Sequence, residues 1–300
     1  MPNEGDAFSR AIESLGLYFE RALTRAATEP AIAAPSRPVA QLAREAVPAD
    51  AAAVLGMYLD RAELLGRRTA ELHRALADDG GDPAFAPEPY SPFDQRGLYQ
   101  TLRGEVGRTL DALRSARRRL STDAVARADA ILARGPELLA RFGVLLDRRL
   151  TALRTRGHGD YRLGEILFTG DDFVVPDLGG DRRRRKVTPL RDVATLLRSL
   201  RDAATTALLD ETRVRKEDRE AAAAWAEIWW AWISAAVVRG WIEGSEGAPY
   251  LPTDPREIDL LLDVLSLEQD LEALGEALRK GSSRAALALD RLGRALDQKP

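Results

Sequence analysis

Asp160 and Asp177 bracket two short apolar runs, Ile166-Leu-Phe168 and Phe173-Val-Val175, joined by Thr169-Gly-Asp-Asp172. Such runs around a turn-forming tetrad predict a β-hairpin. A hairpin folds back on itself, so carboxylates before its first strand and after its second converge at the open end. That arrangement suits phosphoryl transfer: one aspartate orients a substrate hydroxyl and takes its proton, while other carboxylates hold magnesium over the phosphates. Glu165, between Asp160 and the first strand, is placed for such a ligand role, since magnesium prefers hard oxygen donors. Asp and Gly are also ordinary loop residues, and residue types alone put a loop-only role first.

The elements that must position this hairpin are helical. Phe8, Ile12, Leu15, Phe19 and Leu23 recur at helical spacing and predict a helix from 8 to 25. Residues 27–47 are broken by Pro30, Pro35 and Pro38. One long helix is expected from Asp50 to Leu76, with His73 near its end. Helices then follow at 95–121, 123–132 and 136–153. After the non-helical block 155–178, Thr188-Pro189 supplies an N-cap and a first-turn proline. Helices are expected at 189–210, 216–242, 254–279 and 282–297. Trp225, Trp229, Trp230, Trp232 and Trp241 sit at helical intervals and read as core rather than as a sugar-stacking platform. The fold class is mainly α, one lobe over 1–300: a helical half to 154, a catalytic hairpin over 155–187, and C-terminal helices from 188.

Composition narrows the chemistry. The 300 residues contain no cysteine and two histidines, His73 and His158, which excludes disulfides, thiol nucleophiles and histidine-rich metal centres. The 44 basic and 47 acidic residues give a net charge of -3, so no basic excess points to nucleic acid. No apolar run is long enough to span a bilayer, and the N-terminus lacks a signal-peptide pattern, so a cytoplasmic protein is expected. No lysine precedes Lys186. The basic stretches Arg117–Arg119 and Arg182–Lys186 read as solvated surface.

Five blocks, in order, resemble maltokinases, including the C-terminal lobe of those fused to trehalose synthase, within the aminoglycoside-phosphotransferase-like kinase superfamily. His158-Gly-Asp-Tyr-Arg-Leu-Gly-Glu165 resembles the family catalytic loop. Asp172-Phe-Val-Val-Pro-Asp-Leu-Gly-Gly-Asp181 resembles its metal-binding strand. Lys186-Val-Thr-Pro-Leu-Arg-Asp-Val-Ala-Thr-Leu-Leu-Arg-Ser199, Leu65-Gly-Arg-Arg-Thr-Ala-Glu-Leu-His73 and Asp82-Pro-Ala-Phe-Ala-Pro-Glu-Pro89 resemble further family segments. The resemblance implies Asp160 as catalytic base, Asp177 and Glu165 as metal ligands, and His158 and Asp192 as loop anchors. Glu268 would contact substrate, and His73 would be a packed helix residue. ATP and Mg2+ would be cofactors, and the C1 hydroxyl of maltose the acceptor, feeding α-glucan synthesis.

The chain departs from that pattern at the site. Arg162 stands where the family has histidine, Glu165 where it has glutamine, and Glu272 and Glu276 where it has tyrosines. Met1-Pro-Asn-Glu-Gly-Asp6 resembles the family's hinge between lobes, so the chain is expected to begin at that boundary. The β-rich lobe with its phosphate-binding lysine would then come from upstream coding sequence or a separate polypeptide, with trehalose synthase a further partner. A degenerate, non-catalytic pseudokinase that binds a partner of α-glucan metabolism is the alternative.

Overall fold

The computed structural model describes residues 5–26, 28, 32–176, 186–282 and 284–298. They are mostly helical and form two compact units, each drawn from separate stretches of chain. The first comprises residues 1–87 and 154–251, the second 88–153 and 252–300. The units therefore interleave along the sequence, whereas the sequence reading divides it linearly at 154 and 187.

The first unit is built around α9 (Arg219–Gly244). This helix is apolar on all sides: Trp225, Trp229, Trp232 and Trp241 are buried, as are Ile233 and Val237. Such a helix belongs in a core or a membrane. Among the described residues, Lys216–Gly244 is the one helical stretch long and apolar enough to cross a bilayer, yet most of it is buried inside the unit. It packs against α4 (Tyr58–Ala77), α8 (Leu190–Leu209) and the short α2 (Val39–Leu42). The tryptophans thus lie in the core, as their spacing suggests; the half-buried Trp230 donates to the Leu197 carbonyl, 3.1 Å, under the Arg201 guanidinium.

Glycines set the closeness of α4 and α9. A Cβ on Gly66 would lie 2.1 Å from the Val237 carbonyl oxygen, and one on Gly240 would lie 2.1 Å from that of Glu63. Both obstacles are backbone, so neither helix can make room by turning a side chain. The segment expected as one helix over 50–76 is two, α3 (Ala49–Leu55) and α4, because Gly56 adopts φ +61 between them. A helix cannot continue through that conformation.

α1 (Ala7–Ala26) buries Ala11, Leu15, Phe19 and Ala22 on one face and packs on α8. Its start is tied to the hairpin: the Ala7 N–H donates to the Ile166 carbonyl, 2.8 Å, and the Phe168 N–H to that of Gly5, 2.9 Å. The hairpin matches its sequence signal, pairing β3 (Leu167–Phe168) with β4 (Phe173–Val174) in the register Leu167↔Val174 and Phe168↔Phe173. Arg68 of α4 holds its turn through two bonds to Asp172, 2.7 and 3.0 Å. A second strand pair was not legible: β2 (Leu153–Arg156) runs antiparallel to β5 (Lys186–Val187), joining Thr155 to Val187.

The second unit holds β1 (Glu88–Pro89), α5 (Pro92–Ala116), α6 (Thr122–Ala133), α7 (Gly135–Gly143), α10 (Pro255–Arg279) and α11 (Arg284–Asp297). Ser91 and Asp94 form a reciprocal capping box that starts α5. The helix expected over 136–153 ends at Gly143, a 3-10 turn follows at Val144–Leu146, and Leu153 already opens β2. Buried Glu257 of α10 explains the stop: its carboxylate accepts the N–H groups of Thr151, 2.8 Å, and Ala152, 2.7 Å, holding that chain extended. Arg117–Arg119 form an exposed 3-10 turn, as read, with Arg117 paired to Asp129.

The Gly240→Ala substitution is expected to destabilise the chain by about 3 kcal/mol or more, as an overpacked backbone contact does. Urea unfolding checks this against Gly97→Ala, where open space surrounds the added methyl and helix propensity predicts a gain of up to ~1 kcal/mol.

Candidate active site

The loop from Gly157 to Glu165 carries the site, and alternation along it decides what faces solvent. Tyr161 and Leu163 are fully buried, whereas Asp160 and Arg162 between and beside them point outward. This two-residue period is that of extended chain. The Tyr161 hydroxyl shares a hydrogen bond with Thr69 of α4, 3.0 Å, and its ring meets that of His158 edge-on, 5.2 Å between centroids. Burial pushes the Tyr161 hydroxyl far above the ordinary tyrosine range, so it stays a neutral hydrogen-bonding group. The Leu163 N–H donates to the Ser199 hydroxyl of α8, 3.1 Å. Gly159 takes φ +85, which side-chain-bearing residues rarely adopt, and so turns the chain into Asp160.

Asp192, in the first turn of α8, fastens the start of the loop. Its carboxylate is buried and accepts the N–H groups of His158, 2.7 Å, and Gly159, 3.1 Å. The imidazole of His73 reaches the same carboxylate, Nε2 lying 3.4 Å from Oδ2. Burial alone raises a carboxyl, but here the His73 imidazole and the two loop N–H groups outweigh it and hold Asp192 below the usual carboxylate range. The helix places this carboxylate without the cap expected at Thr188: α8 starts with no side-chain cap, and the Arg191 N–H donates to the Thr188 carbonyl, 3.0 Å.

Asp160 itself is half-exposed. Arg162 Nη2 donates to its Oδ2 at 2.8 Å and lies 3.5 Å from Glu165 Oε1, Glu165 closing the 3-10 turn Leu163–Glu165. One guanidinium therefore faces both carboxylates. Their exposure makes the attraction weak and easily displaced. Lys186, the first lysine of the chain, donates to the Ala86 carbonyl, 2.7 Å.

Of the residues singled out in the sequence, Asp160, Glu165, His158 and Asp192 come together in one loop and its brace. Asp177, and the basic residues 182–185, lie outside the described residues. Glu268 is buried in α10, in the second unit. Tyr161, Thr69 and Ser199 were missed as loop supports, because nothing local marks a tyrosine as half of a pair with a residue so far away in sequence. Among the described residues no group of three or more His, Cys, Asp or Glu side chains is arranged to hold a metal ion.

No family model matches the chain. The fold is that of solved glucosamine kinases. One, in crystal form A, aligns over 97% of this chain and 59% of its own length, with 19% identity and TM-score 0.63. A second, in complex with glucosamine, ADP and inorganic phosphate, aligns over 97% and 60%, with 19% identity and TM-score 0.64. A third, crystal form B, aligns over 98% and 58% at the same identity and TM-score 0.64. The chain thus has the mainly helical architecture of a kinase-like lobe and spans about three fifths of the length of these structures.

Replacing Asp192 by Asn is expected to cost about 2 kcal/mol at pH 7, since two bonds to a charged acceptor weaken. Asp192 is depressed in the folded chain, so its contribution is full above the unfolded carboxyl range and fades as pH falls through the folded value. Thermal unfolding should show the gap between parent and D192N narrowing below about pH 4.

Proposed function

We propose that this chain is the acceptor-side helical lobe of an ATP-dependent sugar phosphotransferase, with Asp160 as general base. The observation that carries the proposal is the braced loop: an outward carboxylate after a glycine turn whose N–H groups are gripped by a buried aspartate. General-base work needs a carboxylate fixed within hydrogen-bond reach of a hydroxyl. The fold likeness to kinases, one of them holding glucosamine, ADP and inorganic phosphate, supports the same reading. Asp160 would accept the sugar hydroxyl proton as the new O–P bond forms and ADP departs.

The side chains assigned to the metal, Glu165 and Asp177, are carboxylates, the donor type a hard cation takes. Asp160 and Glu165 both present carboxylate oxygens to a positive charge, that of Arg162, and such oxygens are the donors Mg2+ takes. Glu165 with Asp177 would hold Mg2+, which neutralises charge on the transferring phosphates. Arg162 would move from Asp160 when a sugar hydroxyl arrives. Maltose is the acceptor favoured by the sequence resemblance and glucosamine the one favoured by the structural neighbours.

The Arg162–Asp160 contact favours one second reading, a non-catalytic partner-binding protein in which the base is permanently neutralised. Incubation with ATP and Mg2+ and either sugar, followed by 31P NMR, decides between them. Sugar phosphate should form, and Asp160→Asn should slow it by at least about 10²-fold. Unchanged turnover in D160N would remove Asp160 as base, and no sugar phosphate from either acceptor would leave the non-catalytic reading.

A further inference from the structure

His73 is fully buried in α4, far in sequence from the loop, and sits between two groups that fix the roles of its two ring nitrogens. The indole N–H of Trp241, on α9, donates to His73 Nδ1 at 2.9 Å. Indole nitrogen can only donate, so Nδ1 must be the acceptor. A neutral imidazole then carries its proton on Nε2, and Nε2 is the atom 3.4 Å from Asp192 Oδ2. Nε2 completes no aligned hydrogen bond. A short approach of Asp192 toward α4 would make one, at the expense of its grip on His158 or Gly159. The rings of Tyr161, Trp241 and Tyr250 surround the imidazole, with centroids 6.2 to 6.4 Å away, so it has no freedom to turn.

We propose that Trp241 and His73 form a relay that sets the position of Asp192 and, through it, of the loop carrying Asp160. His73 is thus a positioning residue: its Nε2–H electrostatically steadies the carboxylate that grips the loop, while Trp241 enforces the tautomer. Its consequence for turnover rests on the phosphotransferase reading; its consequence for the loop does not. The close approach of α4 and α9 at Gly66 and Gly240 brings the two ring systems within reach, which gives that packing a role in the site.

The test compares His73→Gln, which keeps an N–H donor near the ε position, with His73→Phe, which removes it. In the full chain, amide exchange at His158 and Gly159 is read against amides in the core of α8. H73F should speed exchange at the two loop positions by at least about tenfold more than in α8, and H73Q should recover most of it. Equal acceleration everywhere, or no difference between the two variants, would overturn the relay. Should H73F not fold, Trp241→Phe serves: long-range 1H–15N spectra should show the pure Nε2–H tautomer in the parent and a mixture in W241F. A Nδ1–H tautomer in the parent, or no change in W241F, would equally overturn it. Where sugar phosphate forms, H73F should lower kcat with little change in KM; loop effects without any turnover would reject the phosphotransferase reading alone.

Discussion

A carboxylate buried at the start of α8 accepts two backbone N–H groups, and the geometry of the loop carrying Asp160 hangs on that grip. Removing Asp192 from water is costly, and the cost is met only because charge-assisted bonds from His158 and Gly159 and the nearby His73 imidazole compensate it. Buried charge of this kind is tolerated where it fixes a unique arrangement. The second unit uses the same device for another purpose, with Glu257 at the start of α10 holding the N–H groups of Thr151 and Ala152. In both cases a carboxylate in a helix's first turn holds two consecutive N–H groups of a passing chain.

The outward groups obey different physics. Asp160, Arg162 and Glu165 lie in solvent, where ion pairs contribute little and are screened by salt. Arg162 therefore covers Asp160 without holding it firmly. The proposed phosphotransferase activity would use the contrast between a stiff buried brace and a soft exposed triad: a fixed loop, and a carboxylate that exchanges one partner for another.

Much of this was legible locally. The helical periodicity of α1, the β-forming runs of the hairpin and the apolar sheath of α9 each express one neighbouring pattern. The break at Gly56 was missed because the apolar spacing runs through it; only a positive φ reveals the corner. β2 was missed because Leu-Arg-Thr-Arg has no apolar alternation and is held extended by partners far along the chain. Asp160 stood out by its place beside the hairpin, though residue types alone put a loop role first, and Asp192 drew attention only through the resemblance to maltokinases. His73 was read as a packed helix residue; packed it is, but its partners Trp241 and Asp192 come from two other helices. Long-range pairs such as Tyr161 with Thr69 leave no local mark.

The grip of Asp192 on the loop can be observed directly by following the backbone amide resonances of His158 and Gly159 through an acid titration of the folded chain. Both should shift together, with one midpoint below the ordinary carboxylate range, as their shared acceptor takes up a proton. Resonances that do not titrate, or that do so at or above the ordinary range, would contradict the account.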